Sequence, residues 1–252
     1  MPAESPPPPV EPPPVDPPAQ APVDRSGYLY WVFKALLTLP MTVYFLPRVE
    51  GIEHVPKHGP VILACNHVSY LDWMFLPLVV RWRRISFLAK EEYFTERGLR
   101  GWWKRYFFTA TGQVPVIRGG SSAGDAALNT GRRLLSEGRV LGIFPEGTRS
   151  RDGRLYRGRT GLVRLAAASG APVIPCATIG VFALAPPGRR FPRPGRVTIR
   201  FAPAMDWPDD HGVLPSREVL RARTDELIAV IGRLSGQEYT GVDHEVRRRE
   251  QD

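Results

Sequence analysis

The sequence predicts an α/β fold: a single domain with a central mixed, largely parallel β-sheet covered by helices. Three observations predict it. From residue 51 onward, short apolar runs alternate with helical patterns. Gly and Pro bound those runs, as they bound strands that end in turns. The chain has 252 residues, 43% hydrophobic and 23% charged, which suits one sizeable core rather than two large ones.

Taken in order, residues 1–24 hold eleven of the 27 prolines and otherwise Ala, Val and acids. Such a segment cannot bury a core and is expected to be an extended, disordered tail. Residues 25–50 are different in kind. Across residues 27–46 the only charge is Lys34, and Pro40 falls near the middle. The length approaches a membrane span, but the lysine and the proline argue instead for two short helices lying in a bilayer interface. Tyr28, Tyr30, Trp31 and Tyr44 are of the types that settle at headgroup depth, and Arg25, Lys34 and Arg48 would meet anionic lipid.

The main domain is expected over residues 51–236. Residues 61–65, 85–89, 114–117, 140–144, 173–177 and 197–201 form its strands. Helices are expected from about residue 71 to 80, starting near Ser69, then over 122–136 closed by Gly138, and over 159–168 ending at Gly170. A last helix over 216–234 takes Ser216 as its N-cap and buries Leu220, Leu227, Val230, Ile231 and Leu234. Residues 237–252, with Arg247-Arg248-Arg249, are expected to be a charged, solvated tail.

The net charge is +9, from 34 Lys and Arg against 25 Asp and Glu. Four of those acids lie in residues 1–24, so the rest of the chain is more basic still. Nucleic acid, an anionic bilayer and phosphorylated substrates all suit such a surplus. No nucleic-acid motif with interleaved basic and aromatic residues appears in the core, so no nucleic-acid partner is expected. Cys65 and Cys176 lie in apolar runs without metal or disulfide spacing and are expected to be small buried hydrophobes. His54 and His58 are four apart, but Pro56 breaks the helix that would align them, so no metal site is expected. The acidic, proline-rich start is unlike a secretory signal, which leaves the domain on the cytoplasmic face of the membrane.

Two stretches carry chemistry. Asn66-His67-Val68-Ser69-Tyr70-Leu71-Asp72 falls where a buried strand ends and a helix begins. If His67 sits in the turn before the helix, Asp72 can hold one ring nitrogen and leave the other to take a proton from an acceptor hydroxyl. Phe144-Pro145-Glu146-Gly147-Thr148-Arg149-Ser150 follows another strand. Gly147 lets a ligand approach the backbone, Thr148 and Arg149 can donate to phosphate oxygens, and Glu146 would organise that Arg or accept from ligand hydroxyls. Backbone N–H groups of the same turn are candidates for holding an oxyanion.

With these two stretches in view, residues 50–235 resemble the glycerolipid acyltransferase family, whose best-known activity is 1-acyl-glycerol-3-phosphate acyltransfer. The stretch from Asn66 to Asp72 is similar to the family's first motif, which implies His67 as catalytic base and Asp72 as its partner. Gly112-Gln113-Val114-Pro115-Val116-Ile117-Arg118 is similar to the second, implying that Arg118 helps bind a glycerol phosphate. The stretch from Phe144 to Ser150 matches the third, and Val173-Ile174-Pro175 resembles a shorter fourth motif near the acyl site. Lys90 falls where the family often has a further phosphate-binding cation. The resemblance implies no cofactor. Its expected partners are a phosphate-bearing lysolipid, an acyl-CoA or acyl carrier protein thioester as co-substrate, and a membrane surface, with peripheral or monotopic attachment. The acceptor implied first is 1-acyl-sn-glycerol 3-phosphate. Glycerol 3-phosphate, a lysophospholipid, a lyso-aminolipid, or a non-catalytic lipid-binding role are the alternatives.

Overall fold

A computed structural model describes residues 27–96, 98–116, 123–208, 210 and 213–244. In chain order the first half contains α1 (Gly27–Phe45), β1 (Arg48–Glu50), β2 (Val61–Cys65), α2 (Asp72–Val79), β3 (Ile85–Lys90), α3 (Glu92–Thr95), α4 (Gly98–Ala110) and β4 (Gln113–Val116). The second half contains α5 (Ala123–Ser136), β5 (Val140–Ile143), α6 (Gly161–Ser169), β6 (Val173–Ile179), α7 (Val181–Leu184), β7 (Thr198–Phe201) and α8 (Arg217–Ser235). The strands form one sheet in the order β1-β7-β6-β2-β5-β3-β4. Only β6 and β7 pair antiparallel, so the sheet is mixed and largely parallel, as expected.

The central strand shows why. All five residues of β2 are buried. Val61, Leu63 and Cys65 join one core with Phe45 of α1, Phe75 and Leu76 of α2, and Val181 of α7. Ile62 and Ala64 join a second core with Leu134 of α5, Leu165 of α6, and Leu227 and Ile231 of α8. A strand apolar on both faces is what two covering layers of helices require. The cysteines are buried and unpaired, and they are register partners across β2 and β6.

Several expectations change. Residues 27–45 form one helix, not two, with Pro40 inside it. Anchors lie on both sides of the proline. The Tyr30 hydroxyl accepts from Ile85 N at 3.2 Å, and Phe45 packs edge-on to Phe75 with ring centres 5.2 Å apart. Lys34 Nζ donates to the carbonyls of Val80 at 2.8 Å, Arg81 at 3.3 Å and Arg83 at 3.3 Å. Tyr30 and Lys34 therefore face the protein rather than lipid, and burial lowers the lysine to about 8. Arg48 engages Glu50 at 3.0 Å, and Arg25 lies outside the described residues. No helix among the described residues is long and apolar enough to cross a membrane.

Ser216 caps α8 as expected, its hydroxyl accepting from Val219 N at 3.4 Å. The buried side of α8 runs Leu220, Thr224, Leu227, Ile228, Ile231. That stripe has true helical spacing, and Val230 and Leu234 fall at its margin, half-buried. Nor does the fold end at residue 236. Leu155 N donates to Glu238 O at 2.9 Å, Thr240 N to Leu155 O at 2.9 Å, and Arg157 N to Val242 O at 3.1 Å. Residues 238–242 thus satisfy the backbone of a loop that would otherwise lack partners, and only residues 245–252 of the expected tail lie outside the description.

Candidate active site

The carboxyl ends of β2, β3 and β5 open on a cleft of about 680 Å³ whose wall includes His67, Thr148, Arg149, Arg159 and Arg164. Ligand sites in open α/β sheets form at this edge, where strand ends release their side chains.

Beyond β2 the chain turns through residues 66–71, and Asp72 is the first residue of α2. From there its carboxylate folds back over the turn. Asp72 Oδ2 accepts from Val68 N at 2.7 Å and Ser69 N at 2.8 Å, and lies 2.9 Å from His67 Nδ1. The five-residue spacing works because the intervening backbone donates to the same oxygen. Asp72 thus organises the turn, and the Ser69 hydroxyl accepts from Leu71 N at 3.3 Å. Asp72 is fully buried and the His67 side chain is 21% exposed. A carboxylate at Nδ1 assigns the neutral ring's proton to that nitrogen and leaves Nε2 as the basic one.

Phe144 stacks on the imidazole at 4.0 Å and 15°, and Phe87 stacks behind Phe144 at 5.8 Å. Gly142 makes room for this column, since a Cβ there would lie 2.3 Å from the Phe87 ring. Three further hydrogen bonds tie His67 to the Phe144–Ser150 turn and its surroundings. His67 N donates to Glu146 Oε1 at 2.9 Å, Tyr156 N donates to Glu146 Oε2 at 3.0 Å, and Ser150 N donates to His67 O at 2.7 Å.

Glu146 therefore differs from expectation. It is 2% exposed and spends both oxygens on backbone N–H groups, pairing neither with Arg149 nor with the cleft among the described residues. Burial pushes its carboxyl up to about 8, against the opposing pull of those two donors. Asn66 is likewise internal. Its Oδ1 accepts from Thr178 N at 2.8 Å, and its Nδ2 donates to Thr178 O at 3.1 Å and Gln237 Oε1 at 2.7 Å. Asn66 and Glu146 organise His67 and leave ligand contact to their neighbours.

Gly147 has φ +74°, a conformation that glycine adopts without strain, and Arg159 Cδ lies 2.8 Å from where a Cβ would stand. Its N–H donates to Phe144 O at 3.0 Å, which removes it as an oxyanion donor. Thr148 is exposed on the cleft wall. Arg149 is half-buried there, and its Nε is buried without a hydrogen-bond partner among the described residues. Arg118 and the side chain of Lys90 lie outside the described residues.

Val173 and Pro175 are not brought to this cleft. Val173 packs into the core beneath α5, α6 and α8, and Pro175 is buried in β6 opposite Ala64, with β2 standing between β6 and the cleft strands β5 and β3. Arg159, in the loop just before α6, and Arg164, in its first half, also reach the cleft and were not expected there. The only local signal is Gly158 and Gly161 flanking Arg159 at a helix start. Thr178, Tyr156 and Gln237 were missed as well, and nothing local marks them.

Residues 47–179, more than half of the chain, match a protein-family model described as Acyltransferase. The 1-acyl-sn-glycerol-3-phosphate acyltransferase of Bacillus subtilis is 30% identical over 181 residues, covering 71% of this chain and 83% of that protein. A chloroplastic 1-acyl-sn-glycerol-3-phosphate acyltransferase of Arabidopsis thaliana is 28% identical over 65% of this chain, which spans only 44% of that relative's length. Among solved structures, the 1-acyl-sn-glycerophosphate acyltransferase of Thermotoga maritima superposes with a TM-score of 0.61 at 27% identity, covering 82% of this chain and 80% of that one.

Proposed function

Since this chain belongs to the acyltransferase family, we propose that it moves a fatty acyl group from acyl-CoA or acyl carrier protein to the free hydroxyl of 1-acyl-sn-glycerol 3-phosphate. The product is phosphatidic acid, a precursor for phospholipid synthesis. One observation carries the reading: His67, held by Asp72, and the side chain of Arg149 line one cleft. A base beside a cation suits a substrate that bears a hydroxyl and a phosphate monoester.

His67 Nε2 takes the acceptor's hydroxyl proton as the oxygen attacks the thioester carbonyl, and Asp72 stabilises the imidazolium that forms. The tetrahedral adduct collapses, the C–S bond breaks, and the departing thiolate recovers that proton from Nε2. No acyl-enzyme is needed. Arg149 holds the phosphate, with Thr148 and Arg159 beside it on the wall.

Attachment to a membrane surface is supported by the outer side of α1, where Tyr28, Trp31, Val32, Leu36, Leu39 and Val43 are exposed at helical spacing. Leu99, Trp102 and Trp103 of α4 add to it, and Phe33 of α1 meets Tyr106 of α4 edge-on at 5.9 Å. Such a site receives its lysolipid from the bilayer.

The test is an acyl-transfer panel read by mass spectrometry, with lysophosphatidate, glycerol 3-phosphate and a lysophospholipid as acceptors and both thioester types as donors. Lysophosphatidate should be the best acceptor, and His67→Ala should abolish transfer while leaving the chain folded and vesicle-bound. Near-normal turnover by that variant would refute the assignment.

A further inference from the structure

We propose that Thr178 and Gln237 are positioning residues for the His67–Asp72 pair, linked to it and to each other through the buried amide of Asn66. The proposal rests on His67 being the base. Thr178, 2% exposed near the end of β6, has its hydroxyl 3.2 Å from Asp72 Oδ1 and 3.3 Å from Asn66 Oδ1. One hydroxyl proton is thus shared between the carboxylate and the amide. The backbone N–H and C=O of the same threonine hold the two ends of that amide at 2.8 and 3.1 Å.

Gln237 takes the remaining amide proton, its Oε1 lying 2.7 Å from Asn66 Nδ2, and its own Nε2 donates to Gly153 O at 2.7 Å. The Asn66 amide is then satisfied at every position, which fixes its plane, and Asn66 is the residue directly before His67. A second route runs from the same segment. Glu238 and Thr240 pair with Leu155, the neighbouring Tyr156 N–H bonds Glu146, and Glu146 accepts from His67 N. The segment after α8 therefore reaches His67 through a side chain and through the backbone. Asn66, Thr178 and Gln237 are absent from the cleft wall, so their role is to hold the base rather than to bind substrate.

The test compares four variants of the full chain. Thr178→Val keeps the volume and loses the hydroxyl, whereas Thr178→Ser keeps the hydroxyl. Gln237→Met keeps the length and loses both hydrogen bonds, whereas Gln237→Glu keeps the acceptor for Asn66. Turnover with lysophosphatidate and acyl-CoA is expressed per folded molecule from thermal melts, and the low-field proton signal of His67 Nδ1–H is recorded by NMR. The Val and Met variants should lose about ten-fold in kcat, the scale of a base displaced by a fraction of an ångström, with KM for both substrates unchanged. Their Nδ1–H signal should shift or broaden; Thr178→Ser should resemble wild type in both readouts, and Gln237→Glu, which keeps the acceptor for Asn66 but turns an oxygen toward Gly153 O, should fall between Gln237→Met and wild type. Wild-type kcat and an unmoved signal in the Val and Met variants would overturn the proposal, as would a rise in KM alone. If wild type transfers no acyl group to any lysolipid, the functional reading fails, and the NMR signal alone then decides whether these residues position His67.

Discussion

Replacing Asp72 by Asn removes a charge and almost no volume. The amide oxygen can still accept from Val68 N, Ser69 N and His67 Nδ1, which all meet Oδ2, and the new NH2 can donate to the Thr178 hydroxyl oxygen. The turn should therefore survive, with a stability loss of about 1–2 kcal/mol as charge-assisted bonds become neutral ones. The imidazolium formed during transfer loses its counter-charge. At a charge separation of about 4 Å and an effective dielectric constant of about 20, that attraction is about 4 kcal/mol. Lost only where the imidazolium exists, it should lower kcat by about 10³-fold and leave KM for both substrates nearly constant. Initial rates over a range of lysophosphatidate and acyl-CoA concentrations, with circular dichroism to confirm folding, supply the measurement. A folded Asp72→Asn protein within about three-fold of wild-type kcat would refute the role given to the pair.

Other outcomes follow from the same geometry. Burial raises Glu146 from 4.5 to about 8, so the folded chain favours its neutral form; the stability this confers is complete below pH 4.5 and is lost as pH rises through about 8. The melting temperature of wild type should fall over that window, and Glu146→Gln should flatten the fall in parallel thermal melts. Arg149→Lys loses planar, two-pronged recognition and should raise KM for lysophosphatidate about ten-fold with kcat nearly held, while an acceptor without phosphate is indifferent to the change in the same assay. Gly142→Ala forces the Phe87 ring aside and should cost about 1–3 kcal/mol in denaturant unfolding, with a drop in kcat because Phe87 backs the ring stacked on His67. Leu36→Asp with Leu39→Asp, both exposed on α1, should release the protein in a vesicle sedimentation assay without lowering its melting temperature.

What the sequence revealed follows from local physics. Strands β2, β5 and β6 were legible because each is an apolar run buried on both faces, and α5 and α6 because a glycine closes each. β1 was not: three residues, two of them charged, pair at a sheet edge. Helix α4 escaped because Gly98, Gly101, Lys104 and Arg105 interrupt its pattern, and its Tyr106 and Phe107 rings pack on Phe33 of α1, a partner far away in sequence. Pro40 argued for a break that distant anchors at Tyr30, Lys34 and Phe45 prevent. In the site, the two motif turns marked where His67, Asp72 and Arg149 stand. The burial of Glu146 and the bonds of Asn66 were invisible because their partners include Tyr156, Thr178 and Gln237, which no local pattern connects to them.

The position of β2 between β5 and β6 has a kinetic consequence. The bonds that surround His67 join residues 79, 112 and 171 positions apart, so each closes a long loop. Loop closures of this kind are slow and contribute late, whereas helices such as α5 and α8 form quickly from local contacts. On dilution from denaturant, helical ellipticity should therefore return well before acyl transfer does, and turnover should appear only with the slowest refolding phase. A chain paused before its last strands dock would be mostly helical, compact and inert.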